Sequence, residues 1–128
     1  MKGYVTDIEK ATLENTDFRR VLYTAKNSQL VLMSIPPGGE IGMEVHHLDQ
    51  FLRFEQGTGK AILDGVEHAI KADWAVVVPA GTTHNFINTG SGELKLYSIY
   101  SPPEHKDGTV HHTKAEAQEE HFDDVTTE

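Results

Sequence analysis

With 128 residues the chain has room for one domain and for a core that needs no covalent staples. It contains no cysteine, which excludes disulfides, thiolate metal sites and a cysteine nucleophile. A net charge of −9 sets the surface against nucleic acid and anionic membranes, because both repel an acidic protein.

The N-terminus, MKGYVTDIEKATLENTDF, has no apolar run of the kind found in a signal peptide. No stretch approaches the roughly 20 apolar residues of a membrane span. The expectation is a soluble cytoplasmic protein. Residues 1–27 are mixed in character, with one strand candidate over Arg20–Thr24. From there the chain reads as strands. SQLVLMSI (28–35) is apolar and stops at Pro36-Pro37-Gly38-Gly39. QFLRFEQ (50–56) ends at Gly57. KAILDGVEHAI (60–70) carries Asp64-Gly65 between two apolar runs, the strongest short hairpin signal. WAVVVPAG (74–81), THNFIN (83–88) and ELKLYSIY (93–100) complete the series. Turn signals about every 8–12 residues predict an all-β sandwich or barrel. Beyond Tyr100, Pro102-Pro103 end the last strand, and Thr113 with Glu116 form a capping-box pattern that predicts a short helix over 114–120. The acidic end is expected to be loose.

Two stretches carry chemistry. In MEVHHLDQF (43–51), strand alternation puts Glu44 and His46 on one face and His47 on the other. After a bend at Leu48-Asp49, a return of Gln50 to that face makes Glu44, His46 and Gln50 converge, with Leu52 and Phe54 following inward. In PAGTTHNFIN (79–88), His84 begins a strand just after a Pro79-x-Gly81 turn, and Phe86 and Asn88 share its face.

Pro79-x-Gly81-x-x-His84-x-x-x-Asn88 resembles the second motif of the cupin superfamily. The earlier stretch is similar to the first cupin motif, a His-x-His pair followed by a glutamate and then, seven residues on, a glycine. The spacing from Gln50 to Gly57 fixes the register. Gln50 stands in the glutamate's place, His46 in the second histidine's and Glu44 in the first's. The resemblance covers residues 28–100. It implies an all-β fold, a double-stranded β-helix or jelly-roll barrel, flanked by an N-terminal segment (1–27) that offers an interface strand and a C-terminal extension (101–128). It also implies one divalent transition metal (Mn, Fe, Ni, Co or Zn) held by Glu44, His46, Gln50 and His84. Relative to the usual three histidines and one glutamate, one histidine has become glutamate and the glutamate has become glutamine, so the formal ligand charge is unchanged.

Imidazole and oxygen donors do not select among those metals. Glu44, His46 and His84 could form a two-histidine-one-carboxylate face, the arrangement of iron dioxygenases. Alternatively His46, Gln50 and His84 hold the metal and Glu44 is the catalytic base. Three functions follow. The first is an isomerase-like enzyme acting on a sugar or uronate, similar to the mannose-6-phosphate-isomerase-like cupins. The second is an Fe(II) dioxygenase, and the third a non-catalytic binding module. The partners expected are a small-molecule substrate and a second copy of the chain, since open sheets leave edges and apolar faces to cover. Among the remaining residues, Asn88 is read as fixing a turn and His68 as solvent-facing. Arg53 is read as an outward, carboxylate-paired residue or else an anion anchor. His111-His112 is read as solvated loop rather than a second metal site. PPEHKDG (102–108) is a candidate lid over the barrel mouth.

Overall fold

The computed structural model describes residues 2–118 and 120–128. Among these residues there are nine strands, one α-helix and one 3-10 turn. They are α1 (Ile8–Glu14), β1 (Arg19–Thr24), β2 (Gln29–Ile35), β3 (Asp49–Gln56), β4 (Thr58–Leu63), β5 (Val66–Lys71), β6 (Ala75–Val78), β7 (His84–Asn88), β8 (Leu94–Ser101) and β9 (Val110–His111), with the 3-10 turn at Lys114–Glu116. Two antiparallel sheets, ordered β6-β3-β8-β2-β1-β9 and β5-β4-β7, make the expected jelly-roll barrel. Strands β1 and β9, from the two flanking segments, complete the larger sheet.

Alternation along each strand builds the core. Met33, Ile35, Leu52, Phe54, Ala61, Phe86, Leu94 and Leu96 are all 0% exposed. Phe54 and Phe86 meet across the two sheets with ring centroids 5.9 Å apart. Each such side chain contributes about 1.5–3 kcal/mol through burial, so Phe86→Ala would cost about 3–5 kcal/mol. Tyr97 and Ile99 lie on the opposite face of β8 and are only half-buried.

The turns are where the sequence placed them. Asp64 (φ 47°) and Gly65 (φ 83°) both take positive φ, the type I′ signature of a two-residue hairpin. Gly57 has φ 97°, and a Cβ there would lie 2.8 Å from the carbonyl oxygen of Glu93, so only glycine fits between β3 and β4.

The helix α1 was not legible. Asp7 caps it by accepting from the Lys10 N–H at 3.2 Å. Buried Lys95 donates to the carbonyls of Leu13 (2.9 Å) and Asn15 (2.7 Å), satisfying the end of the helix against the sheet.

Two expectations for the C-terminal extension are corrected. A helix over 114–120 does not form: only Lys114–Glu116 turns, and Ala117 is extended. Thr113 makes no capping bond, and the Glu116 carboxylate instead accepts from the His112 N–H at 2.9 Å. Residue 119 lies outside the described residues. Nor is the chain end loose. Thr127 exchanges bonds with Thr24, and the Glu128 carboxylate accepts from the N–H groups of Lys2 and Gly3 and from the Tyr23 hydroxyl. No helix among the described residues is long and apolar enough to cross a membrane.

Candidate metal and substrate site

MEVHH is not a strand. It is irregular backbone clamped to the start of β7 by two hydrogen bonds between Glu44 and His84, N–H to O at 2.9 and 2.8 Å. The Gly81 N–H donates to the His46 carbonyl at 2.8 Å, and the Ala80 N–H to the Asp49 carboxylate at 2.9 Å. The Gly42 N–H donates to the Asn85 side chain at 2.9 Å. These bonds hold the two motif segments against each other at one end of the barrel.

The alternation expected of a strand survives locally. Glu44 and His46 come together, with Oε2 of Glu44 2.9 Å from Nε2 of His46, while His47 is exposed. The other nitrogen of His46, Nδ1, faces Oε1 of Glu104 at 3.5 Å. The His46 and His84 rings lie 5.1 Å apart, centroid to centroid. Nδ1 of His84 lies 2.9 Å from the Thr82 carbonyl oxygen. A carbonyl has no proton to give, so this nitrogen is the donor and the ring's other nitrogen, Nε2, is the one turned away from that bond.

Gln50 is 3% exposed and pairs in register with Tyr100, whose ring stands edge-on to His46 at 6.1 Å. Its amide nitrogen donates to Oγ of Ser98 at 2.9 Å, and its Oε1 is buried with no partner. A buried carbonyl without a donor is costly, and a cation would satisfy it. Two imidazoles and this oxygen therefore fit a divalent metal by donor type. Among the described residues, however, no three His, Cys, Asp or Glu side chains are grouped so as to hold one. Glu44 is engaged with His46.

Electrostatics bind the cluster. Burial alone would raise the Glu44 pKa, but the hydrogen bond and charge of His46, with Arg19 and His84 behind them, hold it below the usual carboxylate range. Burial alone would lower the His46 pKa, but the Glu44 bond and the charges of Glu104 and Glu44 win over it and over Arg19, and raise it. Burial pushes the Tyr100 hydroxyl up to about 12, so Tyr100 stays protonated.

Sequence reasoning missed Arg19, and it reached Glu104 and His105 only as part of the candidate lid 102–108. Arg19, Glu104 and His105 line, with Glu44 and His46, a cavity of about 760 Å³. The segment 102–108 does reach the mouth, since Pro102, Glu104 and His105 form part of its wall. The 3-10 turn and the residues after it add Lys114, Ala117, Gln118, Glu120 and His121. His105 packs edge-on against Tyr100 at 5.0 Å, and burial, with Arg19 and His46 nearby, drives its pKa down to about 2. Nothing in local pattern marks these residues; only the docking of the chain's flanking segments brings them in.

The other candidates have structural partners. Asn88 donates to the carbonyls of Ile35 and Gly92 at 2.8 Å each and accepts from the Gly90 N–H at 2.9 Å, which is the turn-fixing role. Arg53 points outward, 3.2 Å from both Glu55 and Asp73. His68 is exposed. His111 contacts Arg19 and His112 pairs with Asp17 at 2.7 Å.

Residues 31–100 match the Cupin_2 family model, described as a cupin domain. The uncharacterised Bacillus subtilis protein YrkC is 50% identical over 123 residues, which is 91% of this chain and 66% of YrkC; the chain thus spans about two thirds of that relative's length. The crystal structure of BH2720 from Bacillus halodurans superposes with a TM-score of 0.88 at 48% identity, covering 89% of this chain and 92% of that one. A predicted oxalate decarboxylase from Thermotoga maritima superposes with a TM-score of 0.57 at 25% identity, over 59% of this chain and 67% of that one. Motif spacing, barrel topology and these matches agree: the chain belongs to the cupin family.

Proposed function

We propose that this cupin is a divalent-metal-dependent enzyme that moves a proton on a small oxygenated metabolite, in the manner of a sugar or uronate isomerase. Cupins generally bind one divalent metal, and here His46, His84 and Gln50 would hold it. Bound there, such a metal acts as a Lewis acid on a substrate carbonyl or hydroxyl oxygen.

The observation that carries the reading is the Glu44–His46 contact at 2.9 Å in the wall of the cavity. Glu44 lies in a partly enclosed cavity, its carboxylate in reach of the His46 ring. A carboxylate so placed can take a proton from a carbon next to a carbonyl and return it to the neighbouring carbon. Glu104, facing the other nitrogen of His46, orients that ring. Tyr100, edge-on to both His46 and His105, keeps its hydroxyl neutral.

The test is exchange of substrate hydrogen for deuterium in D₂O, followed by proton NMR on a panel of uronates and hydroxy-ketones, with metal content measured on the same preparation. Exchange is expected with metal-loaded protein, falling about a hundredfold or more in Glu44→Gln. Undiminished exchange in Glu44→Gln would refute the role given to Glu44.

We also read the chain as a homodimer. Val77, Phe51, Ile99, Leu30 and Tyr23 are successive register partners across β6, β3, β8, β2 and β1. They form an apolar row on the outer face of the larger sheet, partly exposed along its length. A second copy would cover it.

A further inference from the structure

The chain has three arginines, and they are treated differently. Arg20 pairs with Asp17 at 3.3 Å, and Arg53 with Glu55 and Asp73. These two sit toward solvent, where pairing contributes little. Arg19 is the buried one, at 7% exposure, where an unpaired charge is most costly. Yet among the described residues its guanidinium makes a single polar contact, Nη1 to Nδ1 of His111 at 3.4 Å, and its Nε is enclosed without a partner. No Asp or Glu among them forms an ion pair with it.

The side chain is nevertheless held in place. Arg19 is the first residue of β1, paired with Met33 on one side and His111 on the other. Its guanidinium lies 5.3 Å from the centroid of the Phe18 ring, a cation–π contact that fixes the plane of the fork. It lines the same cavity as Glu44, His46 and His105. Nε2 of His105 is a second buried nitrogen without a partner there. A rigid cation short of acceptors and an imidazole with an unpartnered nitrogen stand on the wall of a cavity that Glu44 also lines.

From this geometry we infer that Arg19 is the anchor for a substrate carboxylate, and that the ligand is a small hydroxy- or oxo-carboxylate whose anionic end seats on Arg19 and whose oxygenated carbon faces Glu44 and His46. This names the substrate class of the proton-transfer site proposed above and rests on that reading for the second half of the statement only. A planar carboxylate accepts two parallel N–H bonds from a guanidinium fork. The carboxylates of Glu44, Glu104 and Glu120 outnumber the one lysine in the same cavity, Lys114, and so repel ligands with a second or third negative charge, which disfavours phosphate esters. Apolar walls from Phe18, Ile41 and Leu48 suit a carbon skeleton between the two ends.

The test compares matched ligands on one protein. Titration calorimetry is run with D-glucuronate against D-glucuronamide, and with lactate against lactamide, on protein as purified and again after metal removal by chelation. Each carboxylate is expected to bind about ten- to a hundredfold more tightly than its neutral amide. In Arg19→Met the difference should vanish while amide binding stays, and Arg19→Lys, which keeps the charge but not the fork, should retain part of it. Inorganic phosphate at the same concentration should bind more weakly than either carboxylate. Equal binding of carboxylate and amide, binding of neither carboxylate, tighter binding of phosphate, or an unchanged preference in Arg19→Met overturns the assignment. The amide comparison on wild-type protein needs no variant to fold. Loss of deuterium exchange with the carboxylate preference intact would overturn the proton-transfer reading and leave the anchor standing.

Discussion

Oε2 of Glu44 lies 2.9 Å from Nε2 of His46, and each residue holds the other in its charged form. The His46 pKa is raised, so its share of the pair's stability is full below 6.5 and is lost as pH rises through the folded value. The Glu44 pKa is lowered, so its share is full above 4.5 and is lost as pH falls through the folded value. The pair therefore contributes most between those two values. Glu44→Gln removes the bond and charge that lift His46 and leaves only Glu104 to oppose burial and Arg19. NMR titration of the histidine ring protons should show His46 titrating at lower pH in Glu44→Gln than in wild type. An unshifted titration would mean that the contact does not form in solution.

His105 gives stability the opposite sensitivity to acid. Its folded pKa is depressed to about 2 by burial, chiefly, and by neighbouring cations. The unfolded chain takes up a proton near 6.5, and the folded one does not. Stability should therefore fall as pH drops below that value, by at most about 1.4 kcal/mol per pH unit from this group. His105→Phe keeps a ring against Tyr100 but cannot titrate. Urea unfolding across the acid range should show a shallower loss in the variant; parallel curves would contradict the assignment.

Gln50→Glu restores a carboxylate beside the two histidines. In metal-free protein the new charge is buried where the Gln50 amide now meets Ser98 and leaves its oxygen without a partner, and the variant should lose about 1–3 kcal/mol at neutral pH. Manganese should then raise its melting temperature by more than it raises that of wild type. Equal shifts in the two proteins would place Gln50 outside the metal's reach.

The apolar row through Phe51 and Ile99 predicts the assembly state. Phe51→Glu puts a charge in the middle of that row, on a half-buried outward position that no core residue needs. Light scattering coupled to gel filtration should find a dimer for wild type and a monomer for the variant, with the far-UV circular dichroism unchanged. A wild-type monomer would dispose of the dimer.

How much of this the sequence disclosed depends on how local the cause was. Asp64-Gly65 and Gly57 are fixed by backbone sterics within a few residues, and both turns were legible. The inward–outward split of His46 and His47 was legible as well, although the segment is not a strand, because successive side chains still diverge in extended backbone. The seven-residue helix α1 is too short for periodicity to register, and only Thr12 in it is fully buried. The helix expected after Thr113 failed because Glu116 bonds the chain before the cap rather than the cap itself. Arg19 could not be found by pattern, and Glu104 and His105 were reached only as members of the candidate lid 102–108. Their neighbours are set by where the two ends of the chain settle on the barrel, through contacts such as the bonds between Gln29 and His105 at 2.7 and 2.9 Å.

That docking has a practical corollary. The stretch matching the family model, 31–100, supplies His46, Gln50 and His84 but neither Arg19 nor the wall formed by residues 102–121. A protein trimmed to the recognisable segment would keep the candidate metal donors and lose much of the wall of the cavity that His46 lines. Expression boundaries, chimaeras and engineered swaps should therefore carry β1 and the C-terminal strap together with the barrel, since those two additions enclose the same volume from opposite ends of the polypeptide.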